Sequence, residues 1–212
     1  MKVCEFFTSV QGESTYAGLP CTFIRLSGCN LRCSYCDTTY SYAGGVEMTV
    51  DTIMQKVEDA GIGLVEITGG EPFLQQDELM VLTPRLLDAG YQVLIETNGT
   101  FSIRPVDRRA VLIMDVKTPS SGMSGKTDFS NFECITPKDE IKFVISDRED
   151  YLWSKKVVEE HGLAKRCAVL FSPVHAALDP AVLVRWILED RLAVRLNMQL
   201  HKYLYAPGER MV

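Results

Sequence analysis

Three cysteines in one short loop constrain this chain of 212 residues more than any other feature of its sequence. Cys29, Cys33 and Cys36 are separated by three and then two residues, so one loop can bring all three thiols to a single metal centre. The preceding segment, 21–27 (CTFIRLS), is rich in residues typical of a buried strand. We therefore expect metal chemistry at the carboxyl end of a strand.

A zinc knuckle or a redox dithiol is the simplest alternative for such a loop. Structural zinc requires four ligands, and neither a histidine nor a fourth cysteine lies close downstream. A cubane iron–sulfur cluster held by three cysteines leaves one iron open, which an external molecule must fill. The remaining cysteines stand singly in apolar or loop contexts and are predicted to be small core residues: Cys4, Cys21, Cys134 and Cys167.

Apolar runs alternate with helical patterns along the rest of the chain, which predicts parallel strands joined by crossover helices. The first helix is predicted within 46–60, with Thr49 as its N-cap and Gly61 as its stop. The further strands are predicted at 64–68, 92–96, 111–116, 141–145, 169–171 and 194–199, and the further helices at 76–89, 148–160 and 180–191. About six parallel strands predict an α/β fold, an incomplete TIM-type βα barrel, with residues 1–212 as a single domain. The longest non-periodic stretch, 117–139, is typical of a mobile flap.

Charge and cysteine content exclude several classes of protein. The formal net charge is −6 and the basic residues are scattered, so we expect a small-molecule substrate and no binding to nucleic acid. Residues 1–8 lack a basic leader, and no stretch approaches the ~20 apolar residues that span a bilayer. Seven cysteines crowded toward one loop fit reduced thiols in a reducing compartment. We therefore expect a cytoplasmic protein without membrane association.

Polar and glycine-rich motifs follow three of the later strands: 68–72 (TGGEP), 96–99 (ETNG) and 115–117 (DVK). Because the carboxyl ends of parallel strands meet on one face, these motifs are predicted to lie near the cysteine loop. Paired glycines let a backbone approach a ligand closely. Taken singly, each motif is also compatible with an ordinary polar turn, and a lysine at a strand end with a solvated side chain.

The cysteine loop, with Tyr35 directly before its last cysteine, resembles the signature of the radical S-adenosylmethionine (SAM) superfamily. The resemblance implies a [4Fe-4S] cluster on Cys29, Cys33 and Cys36, with the open iron chelated by SAM. Electron transfer from the reduced cluster would release a 5′-deoxyadenosyl radical, so the radical is carried by SAM and no side chain is assigned as catalytic. The implied cofactor-binding residues are Tyr35, Cys36, Asp37, Gly70, Glu71, Asn98, Asp115, Val116 and Lys117.

Features outside these motifs resemble one branch of the superfamily, the 7-carboxy-7-deazaguanine synthases. The matching segments are 7–14 (FTSVQGES) with Gly18, Pro20 and Arg25, then 36–38 (CDT) and 198–203 (MQLHKY), so the resemblance runs from residue 6 to residue 203. It implies a carbon–nitrogen lyase that contracts 6-carboxy-5,6,7,8-tetrahydropterin to 7-carboxy-7-deazaguanine, releases ammonia and re-forms SAM, on the route to deazapurines such as queuosine. The implied substrate residues are Val10, Gln11, Gly12, Glu13, Arg25, Thr68, Gln199 and His201.

The chemistry of these residues suits a pterin. Gln11 offers paired donors and acceptors for the pterin edge, and Arg25 offers a planar fork for a carboxylate. The resemblance also implies Mg²⁺ bound through Thr38, a flavodoxin- or ferredoxin-type reductant and a homodimer. Some members end shortly after the residue matching Lys202 and use the terminal carboxylate near the substrate. This chain continues through 204–212, so that role is not carried over.

Two rival functions remain open from the sequence. A glycyl-radical activating enzyme shares the three-cysteine motif but acts on a protein partner, and would not need Gln11 and Arg25. A non-catalytic electron-transfer module would need a fourth cluster ligand and no nucleoside site. The motifs at Gly70 and Asn98 argue against the second rival.

Overall fold

Nine strands form one open sheet in the part of the chain that the computed structural model describes, residues 1–206 and Arg210. The order across the sheet is β3-β1-β2-β4-β5-β6-β7-β8-β9. The strands are β1 (Lys2–Val10), β2 (Pro20–Leu26), β3 (Val46–Glu47), β4 (Leu64–Gly69), β5 (Gln92–Thr97), β6 (Val111–Val116), β7 (Glu140–Ile145), β8 (Ala168–Pro173) and β9 (Arg195–Leu196). Much of the continuation after Tyr203, residues 207–209, 211 and 212, lies outside the described residues.

The strands from β2 and β4 through β9 run parallel, which confirms the predicted α/β fold of an incomplete barrel. Two antiparallel strands, β3 and β1, lie beside β2 at one edge of the sheet. The sequence patterns do not predict them. Glu5 occupies a buried position of β1, and a charged residue there hides the alternation of apolar side chains. The predicted last strand is also too long, because only Arg195–Leu196 pairs with β8.

The helices are α1 (Val50–Ala60), α2 (Gln76–Asp88), α3 (Arg148–Glu160), α4 (Pro180–Glu189) and α5 (His201–Leu204), and the first four lie close to their predicted positions. Helix α1 begins and ends as the sequence predicts. The Thr49 hydroxyl accepts a hydrogen bond from the Thr52 amide at 3.1 Å, and Gly61 ends the helix with a φ of 64°. The short helix α5 is not predicted as a helix.

Residues along each central strand alternate between two environments, because successive side chains point to opposite faces of a sheet. One face packs on α1 and α2, as in β4, where Val65 and Ile67 are fully buried in the main core. Each such side chain contributes about 1.5–3 kcal/mol by its burial. The opposite face carries a small apolar cluster around Phe7 and Phe23, whose stacked rings have their centroids 4.9 Å apart. Beyond that cluster, this face of the sheet is polar.

The segment 117–139 forms three short 3₁₀ helices, 119–121, 124–126 and 129–134, and its last part packs against residues 99–101 rather than extending as an open flap. Phe132 and Cys134 are buried, and the Asn131 amide donates to the Phe101 carbonyl at 2.9 Å. Cys21 is also fully buried, in agreement with its predicted role in the core. Across residues 1–206 and Arg210, none of the helices has the length and apolar character needed to cross a membrane.

Candidate active site

The cysteine loop, residues 28–38, begins where β2 ends and is fixed by its own backbone contacts. Gly28 has a φ of 98°, which favours glycine and turns the chain out of the strand. The Arg32 guanidinium donates to the Cys29 carbonyl at 2.8 Å and lies 4.2 Å from the centre of the Tyr42 ring. The loop is therefore held in shape by protein contacts of its own.

All three thiols of the loop line one cavity of about 570 Å³. Burial raises the pKa of Cys29 and of Cys33, and Lys117 acts in the opposite direction on both. In the described residues, no three His, Cys, Asp or Glu side chains converge closely enough to hold a single metal ion. Each cysteine of a cubane cluster binds a separate iron, so three thiols lining one cavity match its protein ligands. The donor set therefore fits a cluster.

The end of β4 packs directly on the cysteine loop through Gly69 and Gly70. A Cβ on Gly70 would lie 2.1 Å from the Gly28 carbonyl oxygen and 2.9 Å from the Cys29 Cβ, so only glycine fits. The Glu71 amide donates to the Gly28 carbonyl at 2.7 Å and fixes the two segments together. The strand end is thereby held beside the thiols with its backbone open to the cavity.

The Glu71 carboxylate does not line the cavity but joins the ends of two strands. It accepts hydrogen bonds from the Thr97 hydroxyl at 2.8 Å, the Asn98 amide at 2.7 Å and the Phe73 amide at 3.1 Å. Burial raises the pKa of Glu71 to about 7, although these three donors act against the shift. The predicted contact between Glu71 and a cofactor could therefore be made only by the Glu71 backbone. Asn98, in contrast, lines the cavity.

Strand β6 and the residue after it bring two charged side chains to the cavity. Lys117 Nζ lies 2.9 Å from Asp115 Oδ2. Burial opposes the charge on Lys117, but Asp115 and the Cys33 thiol raise its pKa above the ordinary value. Val116, between them, is fully buried in the main core and does not line the cavity, and its predicted contact with a cofactor stays a prediction. We call this side of the cavity the thiol half: the cysteine loop with Gly70, Asn98, Asp115 and Lys117.

One atom of the thiol half lacks a partner. Asp115 Oδ1 is buried and has no hydrogen bond within the described part of the chain. Buried carboxylate oxygens are normally hydrogen-bonded, so this oxygen is an unsatisfied acceptor on a residue that lines the cavity. On the same side, the Tyr35 hydroxyl lies 3.2 Å from the Thr118 hydroxyl, and burial together with Asp115 raises the pKa of Tyr35 to about 12. Tyr35 is therefore a neutral donor there.

The opposite side of the cavity, which we call the charged half, is lined by polar side chains from distant parts of the chain. From alternate positions of neighbouring strands come Glu5, Arg25, Glu66, Thr68, Glu96 and Lys142, and from loops at the two chain ends come Gln11, Glu13, Gln199 and His201. Their neighbours along the strands are apolar and buried in the main core. The pleat of the sheet thus separates a polar cavity from the core.

Lys142 is the hub of the charged half. Its ammonium lies 3.0 Å from Glu13 Oε2, in close contact with Glu96, and 3.6 Å from Asp115 Oδ2. Burial opposes the charge on Lys142, but these three carboxylates raise its pKa well above the ordinary value. Burial likewise opposes the charge on Glu96, and Lys142 lowers the pKa of that carboxyl. The network also connects the two halves, because Asp115 belongs to the thiol half.

Gln11 is held by its neighbours. Its Nε2 donates to Glu66 Oε2 at 2.6 Å, and its Oε1 accepts from the Glu13 amide in a close contact. The amide expected to recognise a pterin edge is thus engaged within the protein. Burial and the nearby Glu96 raise the pKa of Glu66 to about 8, so this carboxyl is a weak acid on the cavity floor.

Arg25 and the tail residue Arg210 share one buried carboxylate. Arg25 Nε lies 3.0 Å from Glu5 Oε2, and Arg210 Nε lies 2.8 Å from Glu5 Oε1. The Tyr40 hydroxyl donates to Glu5 Oε2 at 3.0 Å. The Arg25 guanidinium, predicted to bind a substrate carboxylate, therefore lies in the cavity. It already forms an ion pair with Glu5, which the sequence did not reveal.

The two ends of the chain meet beside the charged half. The Leu200 amide donates to the Gly12 carbonyl at 2.8 Å, and Gln199 Nε2 donates to Glu13 Oε1 at 2.9 Å. A Cβ on Gly12 would lie 2.7 Å from His201 Nδ1, so glycine admits the imidazole at this position. Burial lowers the pKa of His201, although Glu13 opposes the shift.

Thr38 and Asp37 lie where the cysteine loop meets α5. Lys202 Nζ lies 2.8 Å from Asp37 Oδ2, and the Thr38 hydroxyl donates to Asp37 Oδ1 at 2.9 Å. Burial would raise the pKa of Asp37, but Lys202 and the Thr38 hydroxyl lower it to about 2. Both residues line the cavity, so this end of the cysteine loop presents a hydroxyl and an ionised carboxylate to it.

Nearly all residues predicted to form the site line this one cavity, and the exceptions are Glu71 and Val116. Glu96 belongs to the predicted motif 96–99, whereas four further charged residues of the cavity were not predicted: Glu5, Glu66, Lys142 and Arg210. For the strands a signal was present. A single charged residue at an alternate position of an apolar strand, as in VEIT or EIKFV, indicates a side chain that points away from the core.

Comparisons with known proteins agree with this geometry. Residues 23–115 match the family model of the radical SAM superfamily. A 7-carboxy-7-deazaguanine synthase of Koribacter versatilis (strain Ellin345) is 46% identical over 226 residues, with all of both chains covered. One of Chlorobaculum tepidum is 42% identical over 215 residues, covering 100% of this chain and 97% of the relative. The crystal structure of QueE from Escherichia coli has the same fold, with a TM-score of 0.78 at 23% identity and 94% of each chain covered.

Proposed function

The chain belongs to the 7-carboxy-7-deazaguanine synthase family of radical SAM enzymes, and we propose that it contracts 6-carboxy-5,6,7,8-tetrahydropterin to 7-carboxy-7-deazaguanine with loss of ammonia. This is a carbon–nitrogen lyase reaction on the route to deazapurines such as queuosine. The single observation that carries the proposal is that a three-cysteine loop and a charged pocket for a polar ring open into the same cavity. Radical chemistry on a small molecule needs both in contact.

In this proposal the thiol half binds the cluster and SAM. Cys29, Cys33 and Cys36 are the cluster ligands, and the open edge at Gly70 takes the amino group of SAM. Asn98, Asp115 and Lys117 are polar groups for its nucleoside and carboxylate, and the orphan oxygen of Asp115 is an acceptor for a hydroxyl. When bound, the reduced cluster and SAM would supply a 5′-deoxyadenosyl radical for removal of the C6 hydrogen of the substrate. The protein positions that hydrogen and excludes water.

The charged half is proposed to orient the pterin. The amino and amide edge of a pterin is rich in N–H donors, which match the carboxylates Glu13 and Glu96 beside Lys142. Arg25 matches the substrate carboxylate, and Thr68 and His201 add a hydroxyl and an imidazole. The backbone around Val10 and Gly12 and the amide of Gln199 complete this half.

Mg²⁺ is proposed to bind through Thr38 and to hold the substrate carboxylate. Mg²⁺ needs few protein ligands, because it keeps several waters and takes oxygen atoms from its substrate. Asp37, which is kept ionised beside Thr38, adds negative charge at this position. The conservative test is Thr38→Ser against Thr38→Val. Serine should retain activity that depends on added Mg²⁺, and valine should lose it; equal dependence in both variants would remove Thr38 from the site.

The remaining elements of the proposal concern partners. A flavodoxin- or ferredoxin-type reductant fits, because SAM cleavage requires a cluster at the low end of the potential range. Free thiols at all seven cysteine positions fit a reducing compartment, for which we propose the cytoplasm. A homodimer is proposed from family membership, and light scattering of the reconstituted protein tests it.

Anaerobic turnover tests the function. The reconstituted protein is incubated with dithionite, SAM, Mg²⁺ and 6-carboxytetrahydropterin, and the products are identified by mass spectrometry. We expect 7-carboxy-7-deazaguanine and ammonia in equal amounts. A protein that cleaves SAM only with a protein partner, and leaves the pterin unchanged, would instead be a glycyl-radical activating enzyme.

A further inference from the structure

A tail residue contributes charge to the substrate cavity. Arg210 lies 205 positions from Glu5 in the sequence, yet its guanidinium bonds that carboxylate at 2.8 Å and lies 4.0 Å from the centre of the Tyr40 ring. The Glu5 side chain is 2% exposed, whereas that of Arg210 is 52% exposed. Arg210 is therefore placed at the mouth of the cavity, against a buried anion.

Charge balance at this edge depends on Arg210. Without it, Glu5 neutralises Arg25, since the two form an ion pair at 3.0 Å. Glu96 also acts on Arg25, but Lys142 holds that carboxylate in close contact. Tyr40 adds no charge, because burial raises its pKa to about 12. With Arg210 present, two guanidinium groups face one carboxylate, and the edge has one positive charge in excess.

This excess matches a ligand with a single carboxylate. Both arginines bond Glu5 through Nε, the inner nitrogen of the guanidinium. The two outer nitrogens of a guanidinium can also form paired hydrogen bonds with a carboxylate. The contacts with Glu5 described above use only Nε, so the outer nitrogens of Arg25 are candidates for the bond to a ligand.

We propose that Arg210 is a specificity-determining residue, which offsets Glu5 so that Arg25 can bind the carboxylate of the pterin. The inference rests on the proposed function, because it takes the pterin carboxylate as the ligand of Arg25. It extends the site beyond the family motifs, since none of them includes the tail. It also predicts that the contribution of Arg210 is electrostatic and can be replaced by removing the charge of Glu5.

The test compares Arg210→Ala, Arg210→Lys, Glu5→Gln and the double variant Glu5→Gln/Arg210→Ala, with SAM and Mg²⁺ saturating. Arg210→Ala should raise KM for 6-carboxytetrahydropterin about tenfold with kcat little changed, because the unopposed charge of Glu5 would weaken binding of the substrate and of the transition state alike. Arg210→Lys should stay near wild type. The double variant should recover most of the loss, because a neutral residue 5 restores the positive edge.

A binding measurement separates this inference from the proposed function. Affinities for fluorescent 6-carboxypterin and for pterin, which lacks the carboxylate, are compared for each variant. Arg210→Ala should weaken only the carboxylated ligand. An unchanged KM in Arg210→Ala, or a loss that Glu5→Gln does not recover, would overturn the role of Arg210 while leaving the function intact. A wild-type protein that forms no deazapurine would instead refute the function itself.

Discussion

The thiol half and the charged half of the cavity are built in different ways. The thiol half consists of loops at the carboxyl ends of neighbouring strands, and its close contacts are made by backbone, as between Gly70 and Gly28. The charged half consists of side chains that project from the middle of strands and from both chain ends, and Lys142 connects them by ion pairs. One half is therefore defined by local geometry and the other by electrostatic balance.

This difference predicts different responses to mutation. Loss of a cluster ligand in the thiol half should remove the cofactor and all chemistry, whereas a change in the charged half should leave the cofactor in place and affect the substrate or the stability. Variants of each half, with matched controls, test this distinction.

The largest effect is expected from the thiols. Replacing Cys29, Cys33 or Cys36 by alanine should abolish the cluster absorption and all turnover, because each would remove one of the three protein ligands. Cys134→Ala is the control, since that thiol is buried in the core. Loss of the cluster spectrum in the control would contradict the three-ligand assignment.

The next largest effect is expected from Lys142→Met. Removing one partner of a buried charge network leaves carboxylates uncompensated and costs about 3–5 kcal/mol of unfolding free energy. Urea denaturation should detect this loss, and pterin turnover should fall, while cluster binding is retained. Lys156→Met, at an exposed ion pair, should change stability by about 0.5 kcal/mol or less. If the two lysines proved equivalent, Lys142 would not be the hub of the charged half.

A smaller loss is expected from Gly70→Ala, because the added Cβ would lie 2.1 Å from the Gly28 carbonyl oxygen and would displace the cysteine loop. Misplacement by about 1 Å typically lowers the rate about 10²-fold. Gly63→Ala is the matched control, since its Cβ would meet open space. Activity of Gly70→Ala equal to that of the control would show that the loop tolerates the displacement.

The last prediction concerns the pH dependence of stability and Glu66. Its pKa rises from 4.5 to about 8 on folding, because burial disfavours the carboxylate. The folded state then binds more protons than the unfolded state, so the stability that the proton provides is lost as pH rises through this range. Glu66→Gln should lose less stability than wild type over that interval, and the exposed Glu58→Gln should follow wild type. Parallel pH profiles for wild type and Glu66→Gln would show that Glu66 does not titrate in this way.

The sequence predicted the thiol half far better than the charged half. Cys29, Cys33 and Cys36 lie within eight positions, and the motifs at Gly70 and Asn98 each follow a recognisable strand, so local pattern was sufficient. Gln11 was found only by family resemblance, and Lys142 was not found. The ion pair of Lys142 with Glu13, 129 positions apart, depends on how a strand and a distant loop come together in the fold. The periodicity of apolar residues in the sequence does not reveal such contacts.

The errors in the fold have similar causes. Strand β1 was missed because Glu5 interrupts its apolar pattern, and that same residue proves to be a buried counter-ion for Arg25.

Val116 and Glu71 are predicted at the cofactor because they lie within matching motifs, and neither lines the cavity. Alternation along β6 directs Val116 into the core, and the hydrogen bonds of Glu71 direct its carboxylate to Thr97 and Asn98.

The most direct test of two halves acting on one substrate is transfer of a labelled hydrogen. The reconstituted protein is given 6-carboxytetrahydropterin deuterated at C6, and SAM and 5′-deoxyadenosine are recovered after turnover. We expect the thiol half to hold the 5′ carbon of SAM next to C6 of the pterin, which the charged half binds. Deuterium should then appear in the deoxyadenosyl group of the recovered SAM and 5′-deoxyadenosine. Formation of 7-carboxy-7-deazaguanine without any deuterium in that group would contradict the arrangement.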